Sequence, residues 1–296
     1  MHREELRAIE LHPSFLPDLD RVAVVLRDRQ QRGVAGRPAM PSDLAGLGKL
    51  LEGATARARG RAQRLVAAEH ESHPESPLFG AVSLFEATGH VRYETAHTQS
   101  LAWLLNPRRT HGFDTTIFDA FLSAIDCSMH PQLDAIRCRI RDERRTKPVV
   151  HTEYLINDAR ADIYAEGRLA NGEQWSLVVE LKVDAIEGEG QLDKYHRNGG
   201  NALHVFLTPS GRDGTTYGRS RPWAKMAFID LVRAFVRPRF ADETKHPGAP
   251  FLRLYLTGLL TSVCDIVCVP NGDQVETRNS PYRLEQLLGP LHDHIG

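Results

Sequence analysis

Three residues near the middle of this 296-residue chain have the types and spacing for acid–base or metal-assisted chemistry: Asp162, Glu180 and Lys182. Glu180 and Lys182 interrupt an apolar run, Ser176–Val183 (SLVVELKV), at spacing two. Alternate side chains of a strand share a face, so both point one way while Val179, Leu181 and Val183 point the other. An acid and a lysine in such a strand are costly unless they are paired or hold something. Taken alone, they read better as a plain ion pair at the end of a sheet.

The segment upstream changes that balance. Arg160–Arg168 also reads as a strand, and Leu169-Ala170-Asn171-Gly172-Glu173 between the two is a turn signal. A two-residue Asn-Gly loop sets Asp162 opposite Leu181, on the wrong face. A loop of Ala170, Asn171 and Gly172, with glycine closing a type I turn plus bulge, pairs Leu169 with Glu173 and therefore Asp162 with Glu180. Two carboxylates and a lysine then form one patch. Carboxylates that close repel unless a cation lies between them, and hard oxygen ligands suit Mg²⁺ or Mn²⁺. The next segment, Gly188–Arg197, reads as a short helix with Gln191 and Tyr195 four apart on one face. On its own that face reads as ordinary amphipathic packing.

The elements around the patch follow from periodicity. Leu6–Arg29 and Leu44–Ala68 read as helices joined by a Gly/Pro-rich connector, with Ser42 or Asp43 able to cap the second. Thr95–Pro107 (TAHTQSLAWLLNP) is a helix stopped by Asn106-Pro107, and Thr115–Ile125 is another with Phe118, Phe121, Leu122 and Ile125 on one face. From about residue 136 the pattern becomes β, with strands at Val149–Ile156, Arg160–Arg168, Trp175–Val183 and Ala202–Thr208. Phe228–Phe240 and Phe251–Cys268 read as C-terminal helices. The order is helix, three strands, helix, strand, then helices, an α/β layout with a mixed sheet covered by helices. The boundaries expected are a helical region over 1–76, a core over 77–225 and C-terminal helices packed on it over 226–296.

Composition excludes several classes. A net charge of −1 leaves no global basic field, so any nucleic-acid site is a local patch. Four cysteines make no disulfide scaffold, and with a charged, non-apolar N-terminus the simpler setting is a reducing cytoplasm. The apolar stretch 251–270 carries Arg253 and Asp265 and reads as a buried helix, not a membrane span. Gly46-Leu47-Gly48-Lys49 lacks the spacing of a phosphate loop. Cys264 and Cys268, four apart on a presumed helix, read as core residues.

Asp162, Glu180-x-Lys182 and Gln191-x-x-x-Tyr195, in this order, resemble the PD-(D/E)XK nuclease superfamily. Glu94–Gly112 (ETAHTQSLAWLLNPRRTHG) followed by Phe118–Leu122 is similar to the opening signature of one bacterial branch: an acid, a His three residues on, a Leu-Ala-Trp-Leu-Leu run and a His-Gly before the next helix. The likeness covers about residues 80–210. Ala161 stands where the superfamily name has Pro, and Leu181 where this branch commonly has Asn.

The resemblance implies a restriction-endonuclease-like α/β core with helical additions at both ends. It implies a metal-dependent phosphodiesterase acting on nucleic acid, DNA more than RNA, in restriction-like, defence or repair roles. Asp162, Glu180 and the Leu181 carbonyl would hold Mg²⁺ or Mn²⁺. Lys182 would orient water or stabilise the transition state, and Gln191 and Tyr195 would hold substrate phosphate or the site's hydrogen bonds. Glu94 would approach the cluster from the other side with His97 beside it, either as a substrate contact or as a packing histidine; His111 has the weaker claim. Arg212, Arg219 and Arg221, in a loop with Tyr217 and Trp223, would contact substrate. The basic run Arg137–Lys147 reads equally as a solvated surface. A homodimer is compatible, and a membrane is not expected. The competing readings are a catalytically silent member of the same fold that binds nucleic acid or a partner, and an unrelated nucleotide phosphodiesterase with an enclosed pocket.

Overall fold

The hairpin turn after Arg168 sets the sheet. Gly172 has φ of +87°, a left-handed conformation that glycine adopts without strain. Its N–H bonds Leu169 O at 3.0 Å, and Leu169 N–H bonds Glu173 O at 2.9 Å. The loop is therefore the three-residue one. In the computed structural model, which describes residues 41–80, 82–156, 159–185, 188, 190–195, 201–216, 222–271, 274–277 and 281–292, that turn joins β2 (Ala159–Arg168) to β3 (Gln174–Leu181). With β1 (Val149–Ile156), β4 (Ala202–Thr208) and β5 (Ala224–Ala227) they form a five-stranded sheet in the order β1-β2-β3-β4-β5. The pairings run antiparallel from β1 to β3 and parallel from β3 to β5.

Each face of the sheet is covered differently. Helices α3 (Glu94–Leu105), α4 (Thr116–Ala124) and α5 (Pro131–Asp142) come from the chain before the sheet, and α7 (Phe228–Val236) and α8 (Ala249–Ser262) from the chain after it. Trp175 of β3 meets Phe118 of α4 with ring centroids 5.9 Å apart, and Ile163, Leu177, Val179 and Leu181 share the Trp175 face and are fully buried. On the opposite face, Tyr164, Val178 and Phe206 are closed over by Leu192, Tyr195 and Trp223. The short helix α6 (Gln191–Lys194) supplies this second cover.

The chain divides into two units, Met1–Ala68 with Ser280–Gly296, and Glu69–Asn279. The first holds most of α1 (Pro41–Ser72) and α9 (Pro281–Leu288), with an Arg61–Glu285 ion pair at 2.7 Å. Residues 46–49 lie within α1, which disposes of a phosphate loop there. The helix expected at Leu6–Arg29 lies outside the described residues.

Four local expectations are corrected. Residues 131–142 are helical: Pro131 opens the first turn, and Leu133 and Ile140, two turns apart, are the buried positions. The alternation Arg137, Arg139, Arg141 only mimics a strand. The helix from Phe228 stops at Val236, because Pro238 cannot continue it. The helix from Ala249 stops at Ser262, where Asp265 turns left-handed at φ +54°. Cys264 and Cys268 therefore share no helical face, and Cys268 opens the strand β6 (Cys268–Asn271), paired with β7 (Gln274–Thr277). The helix α2 (Leu84–Thr88), capped by the Ser83 hydroxyl, and β5 are further elements. Among the described residues no helix is long and apolar enough to cross a membrane.

Candidate active site

The β2–β3 ladder pairs Ile163 with Val179, and its next step sets Asp162 against Glu180. That places both residues at the end of the hairpin remote from the turn, close enough for the field of Asp162 to act on Glu180. One Asp162 oxygen accepts the Leu181 N–H at 2.7 Å. Glu180 is 1% exposed, and its Oε1 receives both Lys182 Nζ and Gln191 Nε2 at 2.6 Å. Its Oε2, equally buried, has no hydrogen-bond partner.

Glu94 closes the cluster from outside the sheet. It opens α3; its Oε1 accepts the Val183 N–H at 2.9 Å, and its Oε2 lies 3.4 Å from Lys182 Nζ. Val183 thus gives its N–H to a side chain, and β3 ends at Leu181 rather than at Val183 as the apolar run implied. Lys182 bridges Glu180 and Glu94 from a half-buried position. Gln191 is held in turn: its Oε1 accepts the Gly188 N–H at 3.0 Å, and its Nε2 reaches the Tyr195 hydroxyl at 3.2 Å. The Tyr195 ring is 4% exposed within the core layer, so this residue serves the site through its hydroxyl and has no open surface for substrate.

Burial raises the Asp162 carboxyl above the ordinary carboxylate range, and the fields of Glu94 and Glu153 add to the rise. Burial also raises Glu180, with Asp162 adding to it. Burial pulls the Lys182 ammonium down, but Glu180, Asp162 and Glu94 outweigh it and its pKa is raised. The Tyr195 phenol is pushed up to about 12, by burial first and by Glu180 second. One ammonium facing this many carboxylates leaves an excess of negative charge, and an orphaned buried carboxylate oxygen is a poor end state unless a cation completes it. The donor chemistry fits a hard divalent ion: two carboxylates, Asp162 and Glu180, one of them with an unpaired buried oxygen. Among the described residues no three His, Cys, Asp or Glu side chains form a ready-made cage. Such a site suits Mg²⁺, which keeps several waters and takes few protein ligands.

Other expected residues fall elsewhere. His97 is fully buried; its Nε2 bonds Val91 O at 2.9 Å and its ring packs on Phe85 at 4.3 Å. Without exposed surface it touches no substrate, and its role is packing. His111 is also buried: Nε2 bonds Asn106 O at 2.9 Å and Nδ1 accepts the Phe113 N–H at 3.0 Å. The His-Gly pair locks a loop, since a Cβ on Gly112 would lie 2.7 Å from Lys245 O. Arg212 lies on the carboxylate face, its guanidinium 5.0 Å from the centroid of Phe206, the β4 partner of Glu180. Arg219, Arg221 and Tyr217 lie outside the described residues. The basic run before the sheet meets the opposite end of the hairpin, where Arg145 N–H bonds Arg168 O at 2.8 Å. There Arg137 pairs with Asp134, Arg139 with Glu173, Arg141 with Asp142, Arg144 with Asp119 and Lys147 with Asp114. Sequence reasoning missed Glu153, which the β1–β2 ladder sets across from Asp162 with φ of +51°, and Arg92, which grips Asp184. No local pattern marks either.

Residues 82–217 fit the model of the PD-(D/E)XK nuclease superfamily, and the mixed five-stranded sheet flanked by helices is consistent with it. Over that segment the chain is similar to the superfamily. The matched PD-(D/E)XK segment runs from the residues before α2 through the loop after β4, and it includes Glu94, Asp162, Glu180, Lys182 and Gln191. No curated protein and no solved structure matches the chain.

Proposed function

We propose that this protein is a divalent-metal-dependent nuclease that hydrolyses phosphodiester bonds in DNA, in a defence or repair setting in the cytoplasm. The observation that carries the reading is the buried Glu180 Oε2, left without a hydrogen bond beside Asp162 and under an excess of negative charge. Asp162, Glu180 and the Leu181 carbonyl would hold Mg²⁺ or Mn²⁺. The bound ion supplies Lewis acidity toward water and the scissile phosphate. Lys182 Nζ, kept charged and held between Glu180 and Glu94, is placed to orient the attacking water and to donate to a phosphate oxygen as charge builds on it. Gln191 holds Glu180 in place, and Tyr195 holds Gln191. Arg212 is the phosphate contact on this face.

The test is incubation of the purified protein with linear, circular and single-stranded DNA and with RNA, each with Mg²⁺, Mn²⁺ or EDTA. Cleavage of DNA with either metal, abolished by EDTA and by Asp162→Asn, is the expected result. Binding without cleavage under every metal would instead identify a catalytically silent member of the fold.

A further inference from the structure

Lys182 follows the last residue of β3, so the strand ladder alone does not fix it. Its backbone N–H still bonds Leu207 O at 2.9 Å, but the chain then leaves the sheet. Two residues before α3's first turn is Arg92, and two residues after Lys182 is Asp184. Arg92 Nε and Nη2 bond the two Asp184 oxygens in a bidentate fork, while its Nη1 reaches Ser262 O, at the end of α8, at 3.1 Å. On the other side of Tyr93, Glu94 holds the Val183 N–H. One short stretch, Arg92-Tyr93-Glu94, therefore grips the segment Lys182-Val183-Asp184 at three successive residues.

The pair is 55% and 53% exposed. An ion pair so open to water contributes little to stability. A bidentate guanidinium fork, however, fixes direction as well as distance. Combined with the Ser262 carbonyl, it ties the exit of β3 to α3 and α8 together.

We infer that Arg92, through Asp184, is a positioning residue that fixes the backbone beyond β3 and so aims Lys182 at the reacting phosphate. The inference rests on the nuclease reading above, and it is tested by measurements that separate the two. Arg92→Ala, Asp184→Ala and the double variant are compared with the unaltered chain for kcat and KM on DNA with Mg²⁺, for melting temperature, and for amide hydrogen exchange across Leu181–Asp184.

Each single change is expected to lower kcat by up to about 10²-fold, because a displacement of about 1 Å at a reacting group has that effect. KM stays within about twofold, since binding of substrate is untouched. The double variant is no worse than either single one, as two ends of one contact are not additive. Exchange at Val183 and Asp184 rises while the melting temperature holds. Unaltered kcat with unaltered exchange overturns the inference. So do losses that multiply in the double variant, or a fall in melting temperature that accounts for them. A chain that cleaves nothing yet shows the local rise in exchange removes the nuclease reading and leaves the clamp standing.

Discussion

Two buried glutamates in this protein are treated in opposite ways. Glu69, fully buried, gives both oxygens to Arg239, at 2.7 and 3.0 Å. Glu180 is as deeply buried, shares one oxygen between Lys182 and Gln191, and leaves the other unsatisfied. Around Glu69 a guanidinium fork matches a carboxylate in charge and shape, so burial is compensated and the pair is finished. Around Glu180 the nearest charges include Asp162, which repels it. A carboxylate buried for stability is fully paired; one buried with a like neighbour and an open oxygen stands ready for a cation. The difference separates a finished scaffold pair from the carboxylate proposed to hold a metal.

The largest effect expected is at Lys182. Lys182→Arg and Lys182→Ala should each lose cleavage by about 10²-fold or more, since a broad planar guanidinium cannot replace a compact point donor. Mg²⁺ binding, measured by calorimetry on the metal-free protein, should persist through Asp162 and Glu180. Cleavage by Lys182→Arg at the unaltered rate would return the lysine to a simple counter-ion.

Stability should distinguish the two acids by sign. Arg239→Ala removes the guanidinium fork from the buried Glu69 carboxylate and should cost about 3 kcal/mol in urea unfolding, with cleavage per folded molecule unchanged. Asp162→Asn removes a repelling charge from Glu180 and should stabilise the metal-free chain, by an amount of order 1 kcal/mol, while abolishing cleavage. Destabilisation by both would erase the contrast.

A smaller effect belongs to the two arginine regions. Arg212→Ala should weaken DNA binding and lower the salt dependence by about one unit of slope. Arg141→Ala should leave the affinity unaltered, because Arg141 already bonds Asp142 at the far end of the hairpin. Titrations at several salt concentrations decide this. Equal losses would place the substrate across both ends of the sheet.

The smallest effect is a pH dependence confined to the scaffold. Burial lowers the pKa of His97 and of His111, each partly offset by a bond to a backbone carbonyl. Both are neutral in the fold, and the unfolded chain takes up their protons first. Their contribution is fully present above the unfolded value of about 6.5 and is lost as pH falls below it. Protonation of Asp162 and Glu180, both raised by burial, acts in the opposite sense over the same range, so the histidine contribution is read as a difference: as pH falls from about 7.5 to about 5.5, the urea midpoint of His97→Leu should gain relative to that of the unaltered chain. An equal slope in that variant would remove His97 from the account.

Local chemistry determined more of this site than of the scaffold around it. The sequence Leu169-Ala170-Asn171-Gly172-Glu173 carries its own turn geometry, Gly172 adopts the left-handed conformation that closes it, and the register of Asp162 against Glu180 follows by counting. The strands Val149–Ile156 and Ala202–Thr208 and the stop at Asn106-Pro107 were legible for the same reason: strand alternation and proline act within a few residues. Resemblance, not local chemistry, pointed to Glu94 and Gln191. What escaped the sequence depends on residues brought together from far apart. Residues 136–141 alternate like a strand, and the helix that contains them is set by Pro131 at its start and by the burial of Leu133 and Ile140 two turns apart. His97 and His111 look reactive in isolation, and only their complete burial makes them packing residues. Glu94 and Lys182 are 88 positions apart, and Arg92 and Asp184 are 92. No periodicity links them, because a contact between a helix start and a strand end is set by how the helix lies on the sheet. The turn and the strands determined that two carboxylates and a lysine would share a face; the packing of α3 across the end of β3 decided which residues hold that lysine in place.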